Sequence, residues 1–174
     1  SDFAARFNLA LTQSLLGKRR EAIEGYRKVL SLKPGLYEAE LNLGILLVLE
    51  KQSGEAVTLL ESACRQKPGE FKPHFWLAEA LLAAGQPSGA AEHFKRALEL
   101  DQKSADAWLG LARAKMRQGE LEEAEAGMKK ALELAPESRQ ALLELAAAYE
   151  QAGRLDKAID LYAQFPDNAA ALER

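Results

Sequence analysis

The chain has 174 residues, 48% of them hydrophobic and 28% charged, with a net charge of −3. This is the range of ordinary globular sequence, which excludes disorder, collagen-like sequence and low complexity, and there is no basic excess to suit a nucleic-acid partner. Aromatic residues are only 7%, and the weight of Ala, Leu, Glu and Lys favours helix. Cys64 is the single cysteine, so no intramolecular disulfide can form. That suits a reducing cytosol and leaves a periplasmic location open should a signal peptide have been removed. The longest uninterrupted apolar runs, such as Ile45 to Leu49, are five residues, against the roughly 20 of a membrane span, so direct membrane insertion is not expected.

Shifted by 34 residues, the sequence aligns with itself, and such a period marks stacked supersecondary units. Leu9, Leu43, Leu77, Leu111 and Leu145 share one column, each followed by a small residue: Ala10, Gly44, Ala78, Ala112 or Ala146. Ala22, Ala56, Ala90, Ala124 and Ala158 share another. Five blocks follow without insertion, 3–36, 37–70, 71–104, 105–138 and 139–172. In the first, Gly17 and Pro34 punctuate two expected helices. In the second, Lys51 replaces the mid-block glycine and Gly54 stands three residues later, which predicts a shifted turn. The third puts His74 in the column of Trp108 and Gln102 where other blocks have Pro34, Pro68 and Pro136. The fourth shows the pattern in full. Trp108, Leu111, Ala112 and Ala114 recur at helical spacing up to Gly119, an expected C-cap. Leu121, Ala124, Met128, Ala131 and Leu132 continue it until Pro136 stops the second helix. The fifth breaks at Pro166, in the column of Leu30, Cys64, Leu98 and Leu132. Its second helix is expected to end near Phe165, with Asp167 capping a truncated further helix over 167–174. Each block therefore reads as a helix hairpin, and the constant small residues mark where the two axes approach closely.

These columns resemble the tetratricopeptide repeat (TPR) family, whose pattern runs Trp, Leu-Gly and Tyr in a first helix and Ala, Phe and Pro around a second. Trp108, Leu111, Ala112, Ala124, Ala131 and Pro136 carry it in block four, and Leu145, Ala146, Tyr149, Ala158 and Tyr162 in block five. Leu77, Ala78, Ala90, Phe94 and Ala97 carry it in block three. Blocks one and two add Leu9, Ala10, Ala22, Tyr26, Pro34, Leu43, Gly44, Ala56, Leu60 and Pro68. The resemblance implies an all-α, right-handed superhelical solenoid of tandem antiparallel hairpins, forming a single array over 3–172. Because repeat arrays need polar capping ends, the chain is expected to be a fragment of a longer protein, or to pack its exposed end on another copy.

In this family the first helices line a concave face that binds partner segments. The candidate groove residues on that implication are Phe7, Asn8, Leu11, Leu41, Asn42, Ile45, Lys72, Phe75, Trp76, Glu79, Arg113 and Arg117. The chaperone-tail binders of the family grip a C-terminal carboxylate with a Lys/Asn/Arg clamp. Asn42 and Lys72 match it, whereas Phe7, Leu11 and Trp76 do not. One block along, Leu41, Ile45, Trp76, Asp106 and Gly110 match nowhere. The groove is expected instead to be apolar in its N-terminal half and mixed in charge beyond, suiting a hydrophobic or amphipathic protein segment. Trp76 is the expected anchor, and Arg113 and Arg117, one turn apart, are placed to grip a carboxylate. The functional expectation is a protein–protein interaction scaffold without catalysis of its own. The alternatives are a substrate-recruiting repeat region of a larger enzyme, or a self-association module acting through exposed terminal hairpins.

No cofactor or metal is expected. No Cys/His group has zinc-ligand spacing, and no phosphate loop, nucleophile elbow or paired-carboxylate site appears. His74 reads as a packing residue. Cys64 reads as a small buried hydrophobe, with neither histidine obviously placed beside it.

Overall fold

The computed structural model describes residues 2–165. Ten α-helices and one 3₁₀ turn make up the described chain, with no strand among the described residues. The helices are α1 (Asp2–Leu15), α2 (Arg19–Leu32), α3 (Tyr37–Leu49), α4 (Ser53–Gln66), α5 (Phe71–Ala83), α6 (Pro87–Leu100), α7 (Ala105–Gln118), α8 (Leu121–Leu134), α9 (Ala141–Gln151) and α10 (Leu155–Tyr162). A 3₁₀ turn, Pro136–Gln140, leads into α9. The chain forms two compact units, one running to Leu100 and the other starting at Asp101. In the first, α1 packs on α2, α3 on α4 and α5 on α6, while α2–α3 and α4–α5 contacts join successive hairpins. In the second, α7 packs on α8 and α9 on α10, joined through α8–α9. No helix of the described residues is long and apolar enough to cross a membrane.

Small residues set the spacing within hairpins. Ala10, Ala22, Ala56, Ala90 and Ala124 have no exposed surface. A Cβ added to Gly44 would lie 2.6 Å from Leu60 Cγ, and one added to Gly25 would lie 2.8 Å from Ala10 Cβ. Between the small residues, four of the five described hairpins hold one large side chain in a shared column. Tyr26, Leu60, Phe94 and Met128 occupy the same column, and all four are completely buried.

Helix ends follow local chemistry. Helices α2, α4 and α8 stop two residues before Pro34, Pro68 and Pro136, since proline has no N–H to extend the ladder. Helix α6 stops at the same place without a proline. There Asp101 Oδ1 accepts the Lys103 amide at 2.9 Å, a turn that the aspartate side chain closes itself. Ser104 then caps α7, its Oγ accepting the Ala107 amide.

Two expectations need correction, and one column is not uniform in burial. The turn of the second hairpin is not shifted. Lys51 adopts φ 60°, the left-handed conformation that Gly17, Gly85, Gly119 and Gly153 adopt in the same column, and α4 begins at Ser53 before Gly54. The hairpin needs a left-handed residue at that point whatever the side chain. Leu9 is 59% exposed whereas Leu43 and Leu77 are 1%. The later leucines belong to helices that pack on the preceding hairpin, and α1 is the first helix of the structure. Finally, α10 ends at Tyr162, three residues short of Phe165. A proline at 166 offers no N–H to the Tyr162 carbonyl and disfavours helical backbone in the residue before it. The helix expected over 167–174 lies outside the described residues.

In the second unit a charged cluster seals the α8–α9–α10 junction. Glu125 accepts Tyr149 Oη at 2.8 Å, Lys129 Nζ at 2.7 Å and Lys157 Nζ at 2.9 Å. The bond from Lys129, with further bonds from Lys157 and Tyr149, holds its carboxyl at about 2 against the opposing effect of burial.

This packing makes two expected outcomes measurable. Lys51→Gly should raise stability by about 0.5–1 kcal/mol, because a left-handed residue with a Cβ costs roughly 1–2 kcal/mol and glycine returns part of that as chain entropy. A urea midpoint that stays level or falls, at unchanged slope, contradicts it. Glu125 has a lowered folded pKa, so its contribution is complete above its ordinary value of 4.5 and is lost as pH falls towards 2. Thermal melts from pH 7 to 2 should show Glu125→Gln less stable at neutral pH and declining less steeply in acid. Parallel curves for the two proteins would remove Glu125 from the acid limb.

Candidate functional site

In the first unit, α1, α3 and α5 carry ten of the twelve candidate groove residues. Phe7 is half-buried, its ring edge-on to Tyr26 at 5.6 Å between centroids. Phe7 and Asn8, with Phe3, Ala4, Leu36 and Glu38, line an open pocket of about 220 Å³ whose wall is mostly apolar. Leu11 is exposed on the same helix. Asn42 donates its side-chain amide to Tyr26 Oη at 3.2 Å, so Phe7 and Asn42 are held against one buried phenol. Burial raises the pKa of that phenol, and the bond from Asn42 partly opposes the rise. Leu41 is buried and serves packing, while Ile45 is half-buried.

Helix α5 carries the densest aromatic group. Phe75 stacks on Phe71 at 5.5 Å, meets Trp76 edge-on at 5.5 Å and Phe94 edge-on at 6.0 Å. Phe71 and Phe75 are one turn apart on the same face, and the fully buried Phe94 backs them from α6. Trp76 and Phe75 are both half-buried, so each shows part of a ring to solvent while its flank is fixed. Edge-to-face and offset contacts of this kind add roughly 0.5–1.5 kcal/mol each beyond buried area. Lys72 is exposed one turn before Trp76, and Glu79 is half-buried at the next turn of α5. The repeat frame points to Phe75 and Trp76 but not to the residues that hold them, Phe71 and Phe94. The signals for those two are the spacing of four along α5 for Phe71, and for Phe94 the buried column shared with Tyr26.

The other two candidates belong to the second unit. Arg113 on α7 makes a two-pronged ion pair with Glu144 on α9, Nε to Oε2 at 2.9 Å and Nη2 to Oε1 at 2.8 Å. Both side chains are nearly half exposed, so solvent screens the pair and its net worth is of order 1 kcal/mol or less. Arg113, Arg117, Met116, Glu144, Ala147, Ala148 and Gln151 line an open pocket of about 440 Å³. Its floor is aliphatic and its rim carries both signs of charge.

The fold also gathers three residues that sequence spacing keeps apart. Cys64 of α4, His74 of α5 and His93 of α6 each bring one donor atom within 4.8 Å of the other two. Cys64 and His74 are buried and His93 is half-buried. His74 Nδ1 lies 3.0 Å from His93 Nδ1, and His74 Nε2 lies 3.1 Å from the Pro68 carbonyl oxygen. Cys64 does occupy the buried position expected of it, but with both histidines beside it. The second helix of one hairpin packs on the first helix of the next, and that stacking is the signal for the neighbourhood.

Three tetratricopeptide repeat models match the chain, over residues 3–36, 81–128 and 109–173, together more than half of it. Among solved structures, it is similar to YrrB, described as a TPR protein with an unusual peptide-binding site, at 23% identity and TM-score 0.81 over 97% of this chain and 89% of that one. MamA 41-end from Desulfovibrio magneticus RS-1 aligns at 19% identity and TM-score 0.82 over 94% and 93%. The thermophilic TPR protein TTC0263 of Thermus thermophilus aligns at 22% identity and TM-score 0.67 over 99% and 96%. No curated protein matches the chain by sequence. The repeat columns, the helix hairpins and the family models agree, and the chain belongs to the tetratricopeptide repeat family.

Proposed function

We propose that the protein is a protein–protein interaction scaffold whose first-helix faces hold a segment of a partner protein, with no catalysis of its own. The observation that carries this reading is the aromatic group on α5, where Trp76 stands half-exposed against Phe75, with Phe71 and Phe94 behind. A tryptophan fixed on one side and open on the other loses little conformational freedom on binding and offers a large apolar face. The pocket at Phe7 and Asn8 and the half-buried Ile45 extend the apolar character across α1 and α3. The partner is therefore an apolar or amphipathic segment. A carboxylate clamp is disfavoured, because Asn42 spends its amide on Tyr26 and phenylalanine and tryptophan stand where two of the cations belong. The unusual peptide-binding site of YrrB is consistent with this use of the fold. In the second unit, the Arg113–Glu144 pair and Arg117 offer a separate polar surface of mixed charge.

A second reading, self-association, is favoured by Leu15 and Leu16, which are 81% and 67% exposed at the end of α1. Sedimentation equilibrium showing a strict monomer at all concentrations overturns it.

The test of the main reading is calorimetry with peptides selected from a library on the wild-type protein. Trp76→Ala should weaken binding by about 2 kcal/mol or more, a loss of roughly 30-fold, with unchanged helical circular dichroism. Equal affinity of mutant and wild type for every selected peptide removes the groove assignment.

A further inference from the structure

His74 and Trp108 occupy the same column, 34 residues apart, and each makes the same hydrogen bond. Trp108 Nε1 donates to the Gln102 carbonyl at 3.1 Å, and His74 Nε2 meets the Pro68 carbonyl at 3.1 Å. Gln102 and Pro68 are likewise 34 apart. A carbonyl oxygen only accepts, so His74 Nε2 carries a hydrogen and Nδ1 is the ring nitrogen left for a ligand. Histidine thus keeps the framework bond of tryptophan and gains a donor atom on the opposite edge. That edge faces His93. The ring centroids are 5.3 Å apart with planes within 23° of each other, so the two Nδ1 atoms meet nearly head to head at 3.0 Å. The remaining wall is Cys64, where the same column holds Leu30, Leu98 and Leu132. Likewise, the His93 column otherwise holds Gly25, Leu59, Gly127 and Leu161. Cys64 and His93 thus stand where most other blocks have leucine or glycine, and the fold brings both beside His74.

We propose that Cys64, His74 and His93 form a binding site for a single borderline-soft transition-metal ion, with zinc(II) chemistry, on the junction of α4, α5 and α6. The ligand set is one thiolate and two imidazoles, His74 binding through Nδ1 and His93 through the ring edge that faces it. Tetrahedral zinc, with Zn–S of about 2.3 Å and Zn–N of about 2.0–2.1 Å, needs the two nitrogens about 3.3 Å apart and each about 3.6 Å from sulfur. The donors stand 3.0 Å apart across the histidine pair and within 4.8 Å throughout. Closing the set requires movements of about 1 Å, within what side-chain rotation supplies. The Pro68 carbonyl fixes the ring of His74 from behind, the outer-shell arrangement that metal-binding histidines use. The fourth position falls to water, reached past the half-buried His93, or to Glu61, one turn before Cys64 on α4. The Glu61 carboxylate acts electrostatically on both Cys64 and His93.

Proton balance follows from the protonation states. Burial pushes the Cys64 thiol up to about 12, and burial, reinforced by His74, lowers the pKa of His93. A cysteine binds zinc as the thiolate and a histidine as the neutral imidazole. Binding forms the metal–sulfur bond and releases one proton, from Cys64, to solvent. His93 only changes tautomer, moving its hydrogen to Nε2.

The test uses the whole chain, with the thiol kept reduced by a phosphine, and cobalt(II) as a spectroscopic probe for zinc(II). Cobalt should bind one to one, with a thiolate-to-cobalt charge-transfer band and the intense visible bands of four-coordinate geometry. Zinc should displace it, and zinc calorimetry in buffers of different ionisation enthalpy should report one proton released. Cys64→Ala should lose the charge-transfer band. His93→Leu, which installs a residue the same column already holds elsewhere, should weaken zinc binding at least tenfold, and zinc should raise the melting temperature of wild type but of neither variant. The weak spectrum of six-coordinate cobalt, no saturable zinc binding, or a charge-transfer band unchanged in Cys64→Ala overturns the proposal. Should Cys64→Ala fail to fold by circular dichroism, His93→Leu decides the matter alone: zinc affinity equal to wild type overturns the site.

Discussion

Two helices can run with their backbones close together only where the side chains between them are no larger than a methyl group. The whole molecule is arranged around that steric condition. Gly44 gives Leu60 the space that a Cβ would fill, Gly25 does the same for Ala10, and the column from Ala22 to Ala124 has no exposed surface. Once each pair of helices is fixed at that spacing, the large side chain of the shared column, Tyr26, Leu60, Phe94 or Met128, has a defined hole to fill. Within each unit, that packing fixes where the first helices present their outward residues. The aromatic group on α5 depends on this, since Phe94 reaches Phe75 from the opposite helix of the same hairpin.

Function of this kind asks little of any single residue's chemistry and much of the rigidity behind it. Phe75 touches three other rings, and Trp76 is fixed through one of them. Asn42 and Phe7 are pinned to one phenol. In the second unit the comparable fixing is ionic, with Arg113 forked onto Glu144 and Tyr149 bonded to Glu125, which Lys129 and Lys157 pair. Apolar fixing persists at any salt concentration, whereas the ionic contacts weaken as the Debye length shrinks. The two units thus present surfaces of different kinds.

Much of the fold was legible because its determinants are local or periodic. Proline sets three helix ends, glycine sets four turns, and alanine marks the crossings. What escaped were positions where tertiary demand overrides residue preference. Lys51 is driven left-handed by the hairpin it closes. Leu9 shares a column with buried leucines yet stays exposed on α1. Asp101 does the work of a proline through a side-chain bond that no column reveals. At the candidate site, the identities of Phe75, Trp76 and Arg113 could be read from the repeat frame. The commitment of Asn42 to Tyr26 and of Arg113 to Glu144 could not, because each partner lies on another helix. The neighbourhood of Cys64, His74 and His93 was hidden for the same reason, its members coming from three successive helices and two blocks.

The bond shared by Trp108 and His74 shows how little a framework position demands. The turns before α5 and α7 each receive one N–H at the same place, and an imidazole and an indole supply it equally. Everything else on the ring is left unconstrained by the fold. A repeat protein can therefore exchange one aromatic residue for another of different acid–base character without changing its architecture. Where a position makes so small a demand, a solenoid can gain a new chemical identity in one unit while its neighbours go on packing as before.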